Sequence, residues 1–169
     1  MATHWKPAYV GIGSNLDSPK EQVQRALDSL SNLTQCRLEL HSSLYRSAPL
    51  DGSDQADYVN AVAALLTTLD PRALLDKLHD IEQQHGRTRS AERWGPRQLD
   101  LDLLVYSSES CDDADLRLPH PGIAERNFVL LPLEEIAPHM VIPGLGRVIE
   151  AAASNDNSVP AIAKLQQSR

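Results

Sequence analysis

The strongest constraint on the fold is the order in which two hydrophobic periods alternate along the chain. Residues 8–13 form a short apolar run of the kind a buried strand makes, and Gly13-Ser14-Asn15 interrupts it. Pro19 then opens a helix with Ser18 as its N-cap, and Val23, Ala26, Leu27, Leu30 and Leu33 recur at helical spacing. Residues 38–45 alternate apolar and polar, as a strand with one wet face does. Residues 47–56 collect Pro, Gly, Asp and Ser and read as a loop, and residues 58–67 read as another strand. Asp70-Pro71 is an N-cap followed by a first-turn proline, and the helix it opens runs to Gly86, a left-handed stop. Residues 99–106 form the last strand of the series. Residues 112–121 are a turn-rich excursion, and residues 128–136 return to the core. Strand, helix, strand, strand, helix, strand is the split βαβ order of a ferredoxin-like α+β sandwich. That fold predicts an antiparallel or mixed sheet with helices packed on one face.

At 169 residues the chain suits a single domain spanning 1–169, with 153–169 as a poorly ordered tail. It is too short for a TIM barrel, which needs about 250 residues. The formal net charge of −7 argues against a nucleic-acid partner, because such binding needs excess cations to displace counterions. Cys36 and Cys111 follow no disulfide or zinc pattern and read as free thiols of a reducing cytoplasm. The polar first residues offer no signal peptide, and no run approaches the ~20 apolar residues of a membrane helix. A cytoplasmic monomer without a membrane partner is the expectation.

The chemistry concentrates in Leu99-Asp100-Leu101-Asp102-Leu103-Leu104-Val105. Side chains alternate across a strand, so Leu99, Leu101 and Leu103 share one face and Asp100 and Asp102 the other. The two carboxylates sit roughly 6–7 Å apart by strand rise. They could hold a hard cation or bridge metal-bound phosphates. An acidic protein can also carry such a pair on a solvated strand face. Asp is disfavoured in strands and like charges on one face repel, so a compensating cation weighs equally with that bland reading.

Upstream, Arg87, Arg89, Arg93 and Arg97 fall within eleven residues and are opposed only by Glu92. They are a third of the chain's twelve arginines. Arg presents a planar fork of donors matched to phosphate oxygens. Alone, the cluster reads as an exposed loop making weak surface ion pairs. Leading directly into the Asp pair, it suits a metal–polyphosphate ligand, with Arg on the phosphates and Asp on the metal.

Other nucleotide motifs are missing. There is no P-loop, no H-E-x-x-H, and Gly11-Ile-Gly13-Ser14-Asn15-Leu16 lacks the third glycine of the dinucleotide fingerprint. That segment reads as a tight strand-to-helix turn. His120, between Pro119 and Pro121, is held in a stiff segment.

At this point the sequence resembles a family. Glu92-Arg-Trp94-Gly-Pro96-Arg97-Gln-Leu99-Asp100-Leu-Asp102 is similar to the signature of 6-hydroxymethyl-7,8-dihydropterin pyrophosphokinase, a folate-pathway enzyme. The GSN turn, Tyr45-Arg46-Ser47, Asp57-Tyr58-Val-Asn60, Pro119-His120-Pro121 and Arg126-Asn-Phe128 resemble its other blocks in the same order. The resemblance implies transfer of pyrophosphate from ATP to the primary hydroxyl of the pterin, leaving AMP, with two Mg²⁺ held by Asp100 and Asp102. It places Arg87, Arg97, His120 and Arg126 on ATP, Arg89 and Arg93 in a closing loop, and Leu103 on the ATP side. Tyr58 and Phe128 are implied to stack the pterin, Asn60 to read its amide edge, Ser47 and Leu50 to offer backbone contacts, and Trp94 to cap the pocket. The surroundings of Phe128 are aliphatic, so it reads as well as a core residue. Asp115 and Arg117 lie in a segment that carries no assignment.

Two other classes fit parts of the sequence. A metal-dependent nucleotidyl transferase would release free pyrophosphate, and the lack of a basic nucleic-acid surface counts against it. A non-catalytic ligand-binding module would explain the fold but not an Asp pair beside four arginines.

Overall fold

A computed structural model describes residues 2–86 and 98–167. The chain runs β1 (Lys6–Ser14), α1 (Pro19–Ser31), β2 (Cys36–His41), β3 (Tyr45–Ser47), β4 (Tyr58–Thr67), α2 (Pro71–Gln84) and β5 (Asp100–Tyr106). It continues with the hairpin β6 (Cys111–Asp112) and β7 (Arg117–Leu118), a 3-10 turn at Ile123–Glu125, and α3 (Asn127–Ile136). It closes with the hairpin β8 (Val141–Ile142) and β9 (Gly146–Arg147), α4 (Val148–Ser154) and β10 (Ile162–Lys164).

The main sheet is antiparallel and has the order β10-β3-β4-β1-β5, with β2 pairing β4 beyond β3. Its strands are built by alternation. Val59, Ala61, Ala63 and Leu65 of β4 and Leu101 and Leu103 of β5 pack with Val23, Leu27 and Leu30 of α1 and Leu74, Leu78 and Ile81 of α2. Val62 and Leu104 turn the other way and pack with Leu130 and Leu133 of α3 and Val148 and Ala152 of α4. The helices therefore cover both faces, not the one face expected. The third and fourth helices lie downstream of the split βαβ pattern, so that pattern could not report them.

The two helix starts differ. Asp70 caps α2 through its carboxylate, which accepts from the Ala73 N–H at 2.9 Å. Ser18 does not cap α1 with its side chain. Asp17 and Ser18 have φ of 51° and 61°, and Ser18 enters the helix only through its carbonyl, which accepts from Gln22 N–H at 3.0 Å.

The expected single strand over 38–45 is two strands. Ser42 is buried, and its hydroxyl accepts from the Val62 N–H at 2.9 Å, taking a place the backbone would hold in the ladder. The next amide, Ser43 N–H, leaves the sheet for the Glu135 carboxylate of α3.

Where the sequence suggests a loose tail over 153–169, the described segment 154–167 follows a defined path. It passes through Pro160 and adds β10 to the edge of β3. Its sequence is polar, and what holds it is backbone pairing and buried amide contacts, which leave no hydrophobic pattern to read.

Candidate active site

Among the described residues β5 is the last strand of the sheet, and no strand pairs with its outer edge. Side chains and loops take up that edge. The buried Glu82 carboxylate of α2 accepts from the Leu101 N–H at 2.8 Å, and the His120 N–H donates to the Leu104 carbonyl at 2.8 Å. Those two bonds bring an acid and an imidazole to the same edge of β5, the strand that carries the half-buried Asp100 and Asp102.

Across the sheet, the register sets Gly13 between Asp100 and Asn60, and Gly11 between Asp102 and Val62. Both glycines lie inside β1, as the apolar run 8–13 predicts, and the strand-to-helix turn expected over 11–16 starts only after Ser14. With no side chain between them, an open floor separates the acids on β5 from Asn60 on β4, roughly 10 Å away by strand spacing. A Cβ on Gly13 would stand 3.2 Å from Asn60 Oδ1.

Asn60 is buried, and its amide donates to Ser47 Oγ at 2.8 Å. Tyr58 and Phe128 are half-buried near it. The Arg126 guanidinium lies 5.9 Å from the Phe128 ring centre, a cation–π approach that holds the ring's orientation.

His120 accepts the Gly122 N–H on Nδ1 at 3.0 Å, so the neutral ring carries its proton on Nε2. Burial, with the Arg126 charge second, holds its imidazole below the usual range, although Asp100 pulls the other way. At neutral pH it is an uncharged donor.

One cavity of about 490 Å³ gathers these groups. One end is walled by Ser47, Leu50, Tyr58, Asn60 and Phe128. The other wraps the edge of β5, past Leu103, to Leu75, His79 and Glu82 of α2 and to Asp115, Leu116 and Arg117 of the β6–β7 hairpin. Asp100 and Asp102 lie on the cavity wall together with His120 and Arg126. Among the described residues no helix is long and apolar enough to cross a membrane.

A comparison with family models matches residues 9–138 to 7,8-dihydro-6-hydroxymethylpterin-pyrophosphokinase (HPPK). The chain belongs to that family. The 2-amino-4-hydroxy-6-hydroxymethyldihydropteridine pyrophosphokinase of Haemophilus influenzae is 48% identical over 136 residues, covering 80% of this chain and 84% of the relative. That of Methylorubrum extorquens is 41% identical over 151 residues, covering 89% and 94%. Among solved structures, a Plasmodium falciparum HPPK-DHPS triple mutant superposes with a TM-score of 0.72 at 12% identity, covering 90% of this chain and 43% of that one. The chain thus spans less than half the length of those HPPK-DHPS chains, and the likeness bears on the fold alone. As an HPPK, it transfers pyrophosphate from ATP to 6-hydroxymethyl-7,8-dihydropterin in folate biosynthesis.

Ten residues singled out in the sequence line the HPPK cavity: Ser47, Leu50, Tyr58, Asn60, Asp100, Asp102, Leu103, His120, Arg126 and Phe128. Arg87, Arg89, Arg93, Trp94 and Arg97 lie outside the described residues. Sequence reasoning missed the α2 contribution. Leu75, His79 and Glu82 recur at four and three residues, one helix face, yet Leu75 reads as core and the other two as solvent face. Asp115 and Arg117, left without assignment, also border the cavity.

Proposed function

We propose that the floor between Asp100 and Asn60 is where the pterin hydroxyl meets ATP, with the pterin at the Ser47–Phe128 end and the nucleoside at the α2 end. The observation that carries this is the register, which sets two glycines between a carboxylate pair and a buried amide. Tyr58 and Phe128 offer ring faces to a flat heterocycle, and the Asn60 amide offers both a donor and an acceptor to its amide edge. Leu103 and Leu116 give the adenine apolar contact, and Arg117, His120 and Arg126 lie within reach of phosphate oxygens.

The donor set suits magnesium. Two carboxylates on one strand face supply hard oxygen ligands and leave coordination positions for phosphate and water, which is how this ion is usually held. Asp100 and Asp102 would hold it, in the one- or two-ion form, and when bound it neutralises phosphate charge and acidifies the attacking hydroxyl.

In the reaction the hydroxyl oxygen bonds to the β-phosphorus, the bond from that phosphorus to the oxygen bridging it to AMP breaks, and the hydroxyl proton passes to solvent. His120 donates Nε2–H, and Arg126 brings positive charge to the same oxygens. Arg87 and Arg97 are assigned to the triphosphate, Arg89 and Arg93 to closure over it, and Trp94 to capping the pterin, on the family motif alone. The order β5-β1-β4-β2, with α1 and α2 on one face, supports the ferredoxin-like reading for this half of the chain.

Nucleotide chromatography after incubation with ATP, Mg²⁺ and the hydroxymethyl pterin tests the assignment. AMP in step with pterin consumption is expected, and ADP would refute it.

A further inference from the structure

Asn127 sits between Arg126 and Phe128, one residue from each end of the cavity's chemistry. Its side chain does not line the cavity. It is fully buried, and its Nδ2 donates to the Asn157 carbonyl at 3.1 Å and the Pro160 carbonyl at 2.7 Å. Both acceptors belong to the segment that follows α4. Asn155 ties that segment to the turn before α3 by donating to the Ala124 carbonyl at 2.9 Å, and Asn157 ties it to α4 by donating to the Ala152 carbonyl at 2.9 Å.

Past Pro160 the same segment becomes the outer neighbour of β3. Ile162 pairs with Ser47 and Lys164 with Tyr45, the Ala48 N–H donates to the Ala161 carbonyl at 2.9 Å, and the Leu165 N–H donates to the Leu44 carbonyl at 2.8 Å. β3 is only three residues long and would otherwise be an edge strand. It carries Ser47, whose hydroxyl orients the Asn60 amide. The segment therefore touches both walls of the heterocycle slot, the helix start that bears Phe128 and the strand that bears Ser47, without entering the slot.

We infer that Asn127 is a positioning residue for the pterin, acting through residues 155–165, which lock the spacing between the Phe128 wall and the Ser47–Asn60 wall. The inference rests on the pterin lying at this end of the cavity. A flat ligand stacked between rings and read along its edge is sensitive to slot width, since misplacement of about 1 Å is enough to lose productive geometry. The nucleoside end, built from α2, β5 and the β6–β7 hairpin, has no contact with the segment through these bonds.

The test uses the full chain with Mg²⁺ and a saturating non-hydrolysable ATP analogue. Asn127→Ala removes the two buried bonds, and Ala163→Pro interrupts β10 from the opposite side. Each is expected to raise the Kd for hydroxymethyl-dihydropterin by about fivefold or more while the analogue's Kd stays within about twofold, because only one wall moves. Both Kd values rising together in step with a fall in Tm would reduce Asn127 to a stability role and overturn the inference, as would an unchanged pterin Kd in both variants. Hydrogen exchange on the wild-type chain keeps the idea testable if a variant fails to fold. Coupling is reciprocal, so pterin must slow exchange at the Ala48 and Leu165 amides. No slowing there, with pterin bound, contradicts the inference. Failure of the wild-type chain to bind pterin at all would instead remove the underlying reading of the slot.

Discussion

His120 shows how much a single side chain owes to its surroundings. Two prolines flank it, its backbone is pinned to Leu104, and its Nδ1 is occupied by the Gly122 amide. Burial first, and then Arg126, keep its imidazole below the ordinary histidine range. An NMR titration of the unliganded protein is expected to place its midpoint below the 6.5 of a free side chain. A midpoint above that value would mean Asp100 outweighs burial. The Asp pair drew attention by its alternation on one strand, whereas His120 and Arg126 entered as ATP residues only through the family resemblance; all four line the cavity. Phe128 was not decidable in that way. Its neighbours Val129 and Leu130 are core residues, and only the fold shows it half-buried on the cavity side. Glu82 escaped notice because a helical glutamate normally faces water, and nothing local says that its carboxylate accepts from the Leu101 N–H of β5.

Elements carry the site by what they omit as well as what they present. β1 contributes no side chain at Gly11 and Gly13, and that emptiness is the floor on which the chemistry is proposed to occur. Gly13→Ala puts a Cβ 3.2 Å from Asn60 Oδ1, so the amide must shift. The expected result is a rise of about tenfold in pterin KM, equivalent to about 1.4 kcal/mol, with kcat little changed. Steady-state kinetics on the purified variant would show it, and an unchanged KM would remove the floor from the account. α3 is tied to β3 by Glu135, which accepts from Tyr45 Oη at 2.6 Å, Ser43 Oγ at 2.7 Å and Ser43 N–H at 2.9 Å. Burial alone would raise its carboxyl, but these donors outweigh it and hold the group below the usual carboxylate range. Burial and the facing carboxylate push Tyr45 up. With its folded pKa lowered, Glu135 contributes stability that is fully present above the unfolded carboxylate range and is lost as pH falls through its folded value. Glu135→Gln is expected to cost about 1–3 kcal/mol in denaturant unfolding at pH 7, with the difference from wild type shrinking in acid. A difference that grew in acid would contradict the sign. Helices α1 and α2 and the four longer strands were legible from periodicity. The split of 38–45 was not, because it depends on Ser42 replacing a backbone group in a ladder formed with residues some twenty positions away.

At the scale of the whole molecule, two features divide the labour. The chain carries a net charge of −7, yet four of its twelve arginines fall in the segment 87–97, and Arg117 and Arg126 line the cavity. The family was legible because its motifs are spread over the chain in a fixed order, so their joint match is far more specific than any one of them. The full set of layers was not. Residues 128–136 read as core, but so short an apolar run does not distinguish helix from strand; α4 has seven residues and β10 three, and the buried Asn127 reads locally as one more helix-start residue. The proposed reaction uses two acids on β5, the His120 imidazole beside that strand and the Ser47–Phe128 end of the same cavity. The most direct test is the rate of AMP formation from ATP and hydroxymethyl-dihydropterin at saturating Mg²⁺ by Asp100→Ala and Asp102→Ala. Each is expected to fall by at least about 10²-fold with the folded structure retained, as loss of a charge-stabilising group does. Rates within a few-fold of wild type would show that the strand's carboxylates do not carry the chemistry.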